Sequence, residues 1–356
     1  MEVLLQRKNM KSKIFELVSV IVGAFIGGGF VSGREVAEYF AKYGFISVFF
    51  AFLVVILFCI FVKYCLAIGN KIGKCDNILQ IVFKNKYKLI QLLLIIACVI
   101  NIGAMIAGCV AIGEVMQLEI LKILLPTFAV MGCYIVISKR YGGISLINKL
   151  VVPVLLILII LITLLTISNS LTVTLPSTNI LLTIFGGATS SIIYVLFNML
   201  IIGVLMIQIG ANYSKKEIEY SSKISSVIIG VLIALVSLSI VMSDSNVISS
   251  DMPLLVECLN ISNSFAGIFA VCQFLGIFTT LISSAFLVSQ VFNIKIKNYS
   301  LCIIFSLLIG IIISFIGFYN IVDYLYKFTG ILSAIFFLIL ILNKFEKNKR
   351  NSIIKK

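Results

Sequence analysis

The chain has 356 residues, 61% of them hydrophobic and 12% charged, with a formal net charge of +14 and a mean hydropathy of +1.19. Soluble domains carry about 45–50% apolar and about 25% charged residues, so the composition excludes that class and describes an all-α polytopic membrane protein. Histidine is absent and the nine cysteines form no C-x-x-C pair, which sets aside most zinc, haem and Ser-His chemistry.

Apolar runs able to cross a bilayer of about 30 Å fall at 14–41, 45–68, 89–116, 123–138, 150–169, 181–211, 225–243, 264–291, 299–318 and 327–344, ten in all. The fourth is short and contains Pro126, which leaves room for an earlier start. The first is too long, and too polar late in its course, for a cleavable signal peptide.

Basic residues between the runs alternate in density. Arg7, Lys8, Lys11 and Lys13 precede the first run, and Lys71, Lys74, Lys84, Lys86 and Lys88 follow the second. Lys139, Arg140 and Lys149, then Lys215, Lys216 and Lys223, then Lys295 and Lys297, then a tail from Lys344 to Lys356 keep to the same side. The opposite side holds only Lys42, Lys122 and Lys327. By the positive-inside rule both termini are cytoplasmic, the number of spans is even, and the chain is a multi-pass protein of the cell membrane. The positive charge is therefore a topogenic rim that meets anionic lipid, and nucleic acid is excluded as a partner. Ten spans divide as five plus five. Because five is odd, a second half built like the first enters from the other face, giving one domain over 1–356 with inverted repeats at 14–170 and 181–345.

The first span departs from a plain helix. It contains Gly23, Ile26, the run Gly27-Gly28-Gly29, then Ser32, Gly33, Arg34 and Glu35. Consecutive glycines cost about 1 kcal/mol each in a helix, and a straight helix over this run would overshoot the hydrocarbon layer. An interruption near the midplane accounts for both, and it frees backbone groups as ligands. The sixth span is also over-long and carries Gly186, Gly187, Thr189, Ser190, Ser191, Tyr194, Asn198, Gly203 and Gln208. Tyr194 and Asn198 share a helical face; the amide can serve a solute or an ordinary interhelical bond. In the eighth span Thr280, Ser283 and Ser284 can converge as oxygen ligands, or bond back to their own helix. Arg34, Glu35, Glu38 and Lys42 fall at the outer end of the first span, lining a vestibule, with Asp323 as a candidate gate partner for Arg34. Glu114 belongs at the outer interface. The 244–264 connection is acidic and external, and its apolar stretch near Leu254 can form a helix over the vestibule.

The stretch from Gly27 through Arg34-Glu35 to Tyr39-Phe40 and Tyr43-Gly44 resembles the opening signature of the YkvI-like bacterial membrane proteins. These are grouped as amino-acid permeases of the amino acid–polyamine–organocation superfamily. Tyr194 to Asn198, Asp251 to Leu255 and Phe278-Thr279-Thr280 look like further landmarks, each weak alone, while Gly28 and Val31 stand where alanine is more usual. The resemblance implies a leucine-transporter-like fold with discontinuous helices 1 and 6 and the substrate at their breaks. By that likeness Gly27, Gly28, Gly29, Ser32, Tyr194 and Asn198 bind substrate, the amides of Gly27 to Gly29 holding a carboxylate. Carbonyls near Gly23 and Ile26 join Thr280, Ser283 or Ser284 around a coupling ion, and Arg34, Glu35 and Asp323 form the outer gate. The expected activity is secondary active transport of a small amino-acid-like or zwitterionic solute by alternating access, with Na⁺ or H⁺ as coupling ion and no other cofactor or metal. No phosphate-binding G-x-x-x-x-G-K-[ST] motif is present. The competing readings are a non-transporting sensor or a channel on the same scaffold, and, further off, a membrane enzyme.

Overall fold

In an apolar medium the backbone must satisfy its own polar groups, and a chain this rich in Leu, Ile and Val does so as helices. The computed structural model describes residues 2–75, 78–139, 143–169 and 180–353; the rim residues Arg140, Lys355 and Lys356, and the expected repeat junction at 170–179, lie outside them. The described residues are helical throughout, without strands. The helices are α1 (Glu2–Phe25), α2 (Gly28–Ser32), α3 (Arg34–Tyr39), α4 (Ser47–Ile72), α5 (Ile78–Phe83), α6 (Tyr87–Val115), α7 (Glu119–Ser138) and α8 (Gly143–Asn169). The second half continues with α9 (Ile180–Ile209), α10 (Lys215–Val241), α11 (Ser245–Ser249), α12 (Pro253–Ile261), α13 (Asn263–Ile296) and α14 (Tyr299–Ser314). Then come α15 (Phe318–Asn320), a π-turn over Ile321–Leu325, and α16 (Tyr326–Ile353).

Among the described residues, seven segments are long and apolar enough to cross a membrane: Ala41–Ile72, Ile78–Val115, Glu119–Ser138, Ile180–Asn212, Lys215–Val241, Asn263–Asn293 and Phe318–Leu342. The other three expected spans also meet helix, but the first is interrupted and the ninth, Tyr299–Ser314, is short, while the fifth falls within α8, Gly143–Asn169. The fourth span does start earlier than its apolar run, at Glu119, and passes through Pro126. Large apolar side chains such as Phe15, Phe49, Phe128, Phe185 and Phe315 are exposed around the bundle, a surface that suits lipid and not water.

Packing sorts the helices into two groups. In one, α4 lies along α9 and α10, α1 along α10, and α16 along α9. In the other, α6 lies along α7, α13 and α14, and α13 also runs beside α8 and α14. The groups meet where α8 packs on α10 and α6 on α16, and α2 packs on α13 and α6. Close approach rests on small residues. A Cβ on Gly69 would lie 2.1 Å from the Ile207 carbonyl oxygen, and one on Gly210 would lie 2.3 Å from that of Leu66. The Ser47 and Ser237 hydroxyls, 2.6 Å apart, join α4 to α10.

The expected break in the sixth span is corrected: Ile180–Ile209 is one unbroken helix. Its glycines serve packing instead of unwinding, Gly187 against the Phe50 ring and Gly203 against Cys65 and Phe336. Its hydroxyls bond back along the helix, Thr189 to the Phe185 carbonyl and Ser191 to that of Gly187. A single pair of glycines and a lone one farther on lower helix propensity without stopping it.

Gly69→Leu should lower the melting temperature of the detergent-purified protein, at a cost of about 2–3 kcal/mol from overpacking against backbone. Gly267→Ala, with open space around the new methyl, should leave it unchanged or raise it.

Candidate functional site

The interruption in the first span is confined to Ile26 and Gly27, between α1 and α2. The Gly27 N–H turns to the Phe25 carbonyl, 2.9 Å away, and the Gly28 N–H donates to Thr280 Oγ1 at 3.2 Å. In a continuous helix those donors would serve the carbonyls of Gly23 and Ala24, which the break releases. Helix resumes at Gly28, so backbone freedom does not explain the remaining glycines. A Cβ on Gly28 would lie 2.6 Å from Met105 Sδ and 2.9 Å from the Ile277 Cα; one on Gly29 would collide with Glu35 Oε1. Both positions need glycine because something else stands there.

A second kink follows at Gly33, whose φ of +80° is left-handed and suits glycine. Ser32 caps it: its hydroxyl donates to the Gly29 carbonyl at 2.6 Å and accepts from the Arg34 N–H at 3.0 Å. That occupation differs from the substrate-facing role expected for Ser32. Pro253 and Leu254 at the start of α12 press on Gly33, with Leu254 Cγ 2.9 Å from where a Cβ would sit. The apolar stretch near Leu254 is thus a helix covering this end of the site.

Under that cover the charges of α3 divide. Arg34, only 2% exposed, donates from Nη1 to the Ile248 carbonyl at 2.7 Å and lies over the Tyr319 ring, 3.6 Å from its centroid. It faces Glu38 at 3.6 Å and Asp323 at 4.0 Å. Glu38 is the centre of the cluster, accepting from Lys42 and from Lys327 Nζ at 2.6 Å. A vestibule under a covering helix was expected here; Arg34 and Glu38 are buried, while Lys42 and Lys327 stay partly exposed. Arg34 and Asp323 do approach each other, but Glu38 and Lys327 do more of the pairing. Glu114 is exposed, as expected of an interface residue.

Glu35 is placed away from the ion cluster. It is 5% exposed, its Oε1 lies against the Gly29 Cα, and its Oε2 accepts from the Tyr194 hydroxyl at 3.3 Å. Around it stand aromatic rings: Tyr39 and Phe40 lie 5.2 and 5.1 Å from Tyr194, centroid to centroid, and Phe197 stacks on Tyr326 at 4.7 Å. The Tyr39 hydroxyl is buried without a hydrogen-bond partner. The expected carboxylate seat on the amides of Gly27 to Gly29 therefore has a resident carboxylate beside it. Asn198, one turn beyond Tyr194, donates to the Tyr194 carbonyl at 3.1 Å.

The hydroxyls of α13 do not converge on one point. Thr280 donates to the Gly276 carbonyl at 3.0 Å while accepting from Gly28, and Ser283 bonds back to Thr279 at 2.9 Å. Ser284 accepts from Asn101 Nδ2 at 3.0 Å, and Asn101 Oδ1 accepts from the Tyr326 hydroxyl at 3.2 Å. Asn101 and Tyr326 escaped the sequence reading. The rule applied to Asn198, that an intramembrane amide wants a partner, points to Asn101 equally well. Gln273 also reaches the first span, its Nε2 at 3.4 Å from the Val31 carbonyl, with its Oε1 buried and unpartnered.

One acid of the connection expected to be external is buried instead. Glu257 on α12, 1% exposed, accepts from Ser243 at 3.1 Å and Thr166 at 3.3 Å, and no ion pair to it is formed among the described residues. Burial pushes its carboxyl up to about 8, the hydroxyls of Ser243, Ser239 and Thr166 working against the rise.

No protein-family model matches the chain, and no curated protein matches it.

Two outcomes follow. Thr280→Val leaves the Gly28 N–H without its acceptor and should cost about 1–3 kcal/mol of stability, whereas Thr280→Ser should retain most of it. For Glu257 the folded state holds a proton that the unfolded chain releases near 4.5. Its contribution is thus full below that value and lost as pH rises toward about 8, at no more than about 1.4 kcal/mol per pH unit. Glu257→Gln should remove that part of the slope in melting temperature against pH.

Proposed function

We propose that the chain is a secondary active transporter of a small amino-acid-like or zwitterionic solute, ion-coupled and working by alternating access in the cell membrane. In this reading it has ten spans with both termini cytoplasmic, and it belongs with the YkvI-like permeases that its first span resembles. The observation that carries the reading is the buried break at Ile26–Gly27, with Thr280 on one side and Glu35 and Tyr194 on the other. Broken backbone at membrane depth is tolerated where it lines protein or a binding cavity, and transporters use it there.

The packing supports the five-plus-five plan. Numbering the spans one to ten, span two lies along span six and span one along span seven. Span three lies along span four as eight does along nine; three lies along nine as four does along eight. These pairings map onto one another when every span is advanced by five, while the packing of span six on span ten has only a slight counterpart between one and five. The unbroken sixth span is where this chain departs from the implied plan, so the site rests on the first span's break and an intact helix facing it.

Thermal stabilisation of the purified protein by amino acids, betaines and polyamines, each in Na⁺ and in K⁺ buffer, tests the proposal. A ligand at about 100 times its Kd stabilises the folded state by about 2.7 kcal/mol, so one solute class should raise the melting temperature and Tyr194→Ala should abolish the rise. If no solute shifts it at millimolar concentration, the channel or sensor reading takes its place.

A further inference from the structure

We infer that Glu35 carries the coupling proton, so that H⁺ and not Na⁺ drives the exchange of conformations; this rests on the transport reading above.

The argument begins with what surrounds the carboxylate. An ionised carboxylate in an apolar interior needs a cation or several donors, and without them the neutral acid is the stable form. Glu35 has the single hydroxyl of Tyr194. The cations one turn away are already engaged: Arg34 with Glu38 and Asp323, Lys42 with Glu38, and Lys327 with Glu38 and Asp323. The other titratable groups within electrostatic reach are tyrosines, Tyr39 on its own helix, Tyr194 on α9 and Tyr326 on α16. α2, α11 and the 227–241 half of α10 bring no titratable side chain. Asp323 from the π-turn and Lys42 from the turn after α3 belong to the ion cluster.

Position then gives this acid a task. Its Oε1 lies on Gly29, two residues past the break, and its Oε2 is held by the intact helix opposite. Movement of α2 and α3 together against α9 breaks the Tyr194 contact while Gly29 keeps its own, and with it changes the access of water to the carboxyl. The proton passes between the Glu35 oxygen and water from whichever side is open, so protonation state and conformation are linked. By contrast the hydroxyls expected to hold Na⁺ are neutral, face different partners and have no carboxylate among them.

Two measurements test this. Infrared difference spectra across a pH jump, taken on the Glu257→Gln protein so that the other buried acid adds no band, should show a protonated-carboxyl band that is lost on adding Glu35→Gln and shifted on adding Glu35→Asp. Proteoliposomes containing the protein should accumulate radiolabelled L-amino acids under an inward pH gradient without Na⁺. That accumulation should be lost in Glu35→Gln and kept, with a displaced pH profile, in Glu35→Asp, which guards against loss through misfolding. Accumulation that requires Na⁺ and ignores the pH gradient overturns the inference and leaves the transport reading intact. A carboxyl band that persists when Glu35→Gln is combined with Glu257→Gln assigns the proton to another acid and also overturns it. No accumulation under either gradient removes the transport reading and the coupling role together.

Discussion

A polypeptide that stops being helical inside a membrane leaves N–H and C=O groups with no water to satisfy them. This molecule meets that constraint at one place, Ile26–Gly27, and much of its interior is arranged around the solution. The Gly28 N–H is taken by Thr280 from the neighbouring group of helices, so the first span is fastened to α13 by the bond that its own helix gave up. α12 then closes over the second kink at Gly33. Arg34, turned outward by that kink, finds carbonyls and acids in the covering segments. The break, the cover and the ion cluster thus form one continuous arrangement.

Charge is distributed by the same geometry. Residues 34 and 38 share a face of α3, while residue 35 is about 100° away from its neighbour. One face therefore enters a cluster of three cations and two acids, and the other delivers a lone acid to the break. The two sets stand one helix radius apart and obey opposite rules: mutual neutralisation on one side, retention of a proton on the other.

The apolar runs could be read from the pattern of hydropathy, because hydrocarbon imposes length and hydropathy on anything that crosses it; among the described residues seven of them fall on helices long and apolar enough to cross. The break was legible for a related reason, since three successive glycines have few other uses in a span. Its extent was not. Gly28 and Gly29 are helical and are small because Ile277 and Glu35 occupy their flanks, a fact about neighbours far along the chain. The sixth span misled in the opposite way, its spaced glycines being sites of contact. The split between Glu35 and Arg34 depends on the left-handed turn at Gly33, and Asn101 and Glu257 acquire meaning only through partners brought near by folding.

The contact between α4 and the second half also bears on how the chain is made. Ser47 pairs with Ser237, 190 positions later, and Gly69 awaits the end of α9. During synthesis α4 enters the bilayer with the glycine and serine face that will receive those helices still turned to lipid. Lipid tails are as apolar as its leucines, so nothing drives that face to hide in the meantime. The tight packing of α4 is therefore completed only after α9 and α10 have been made.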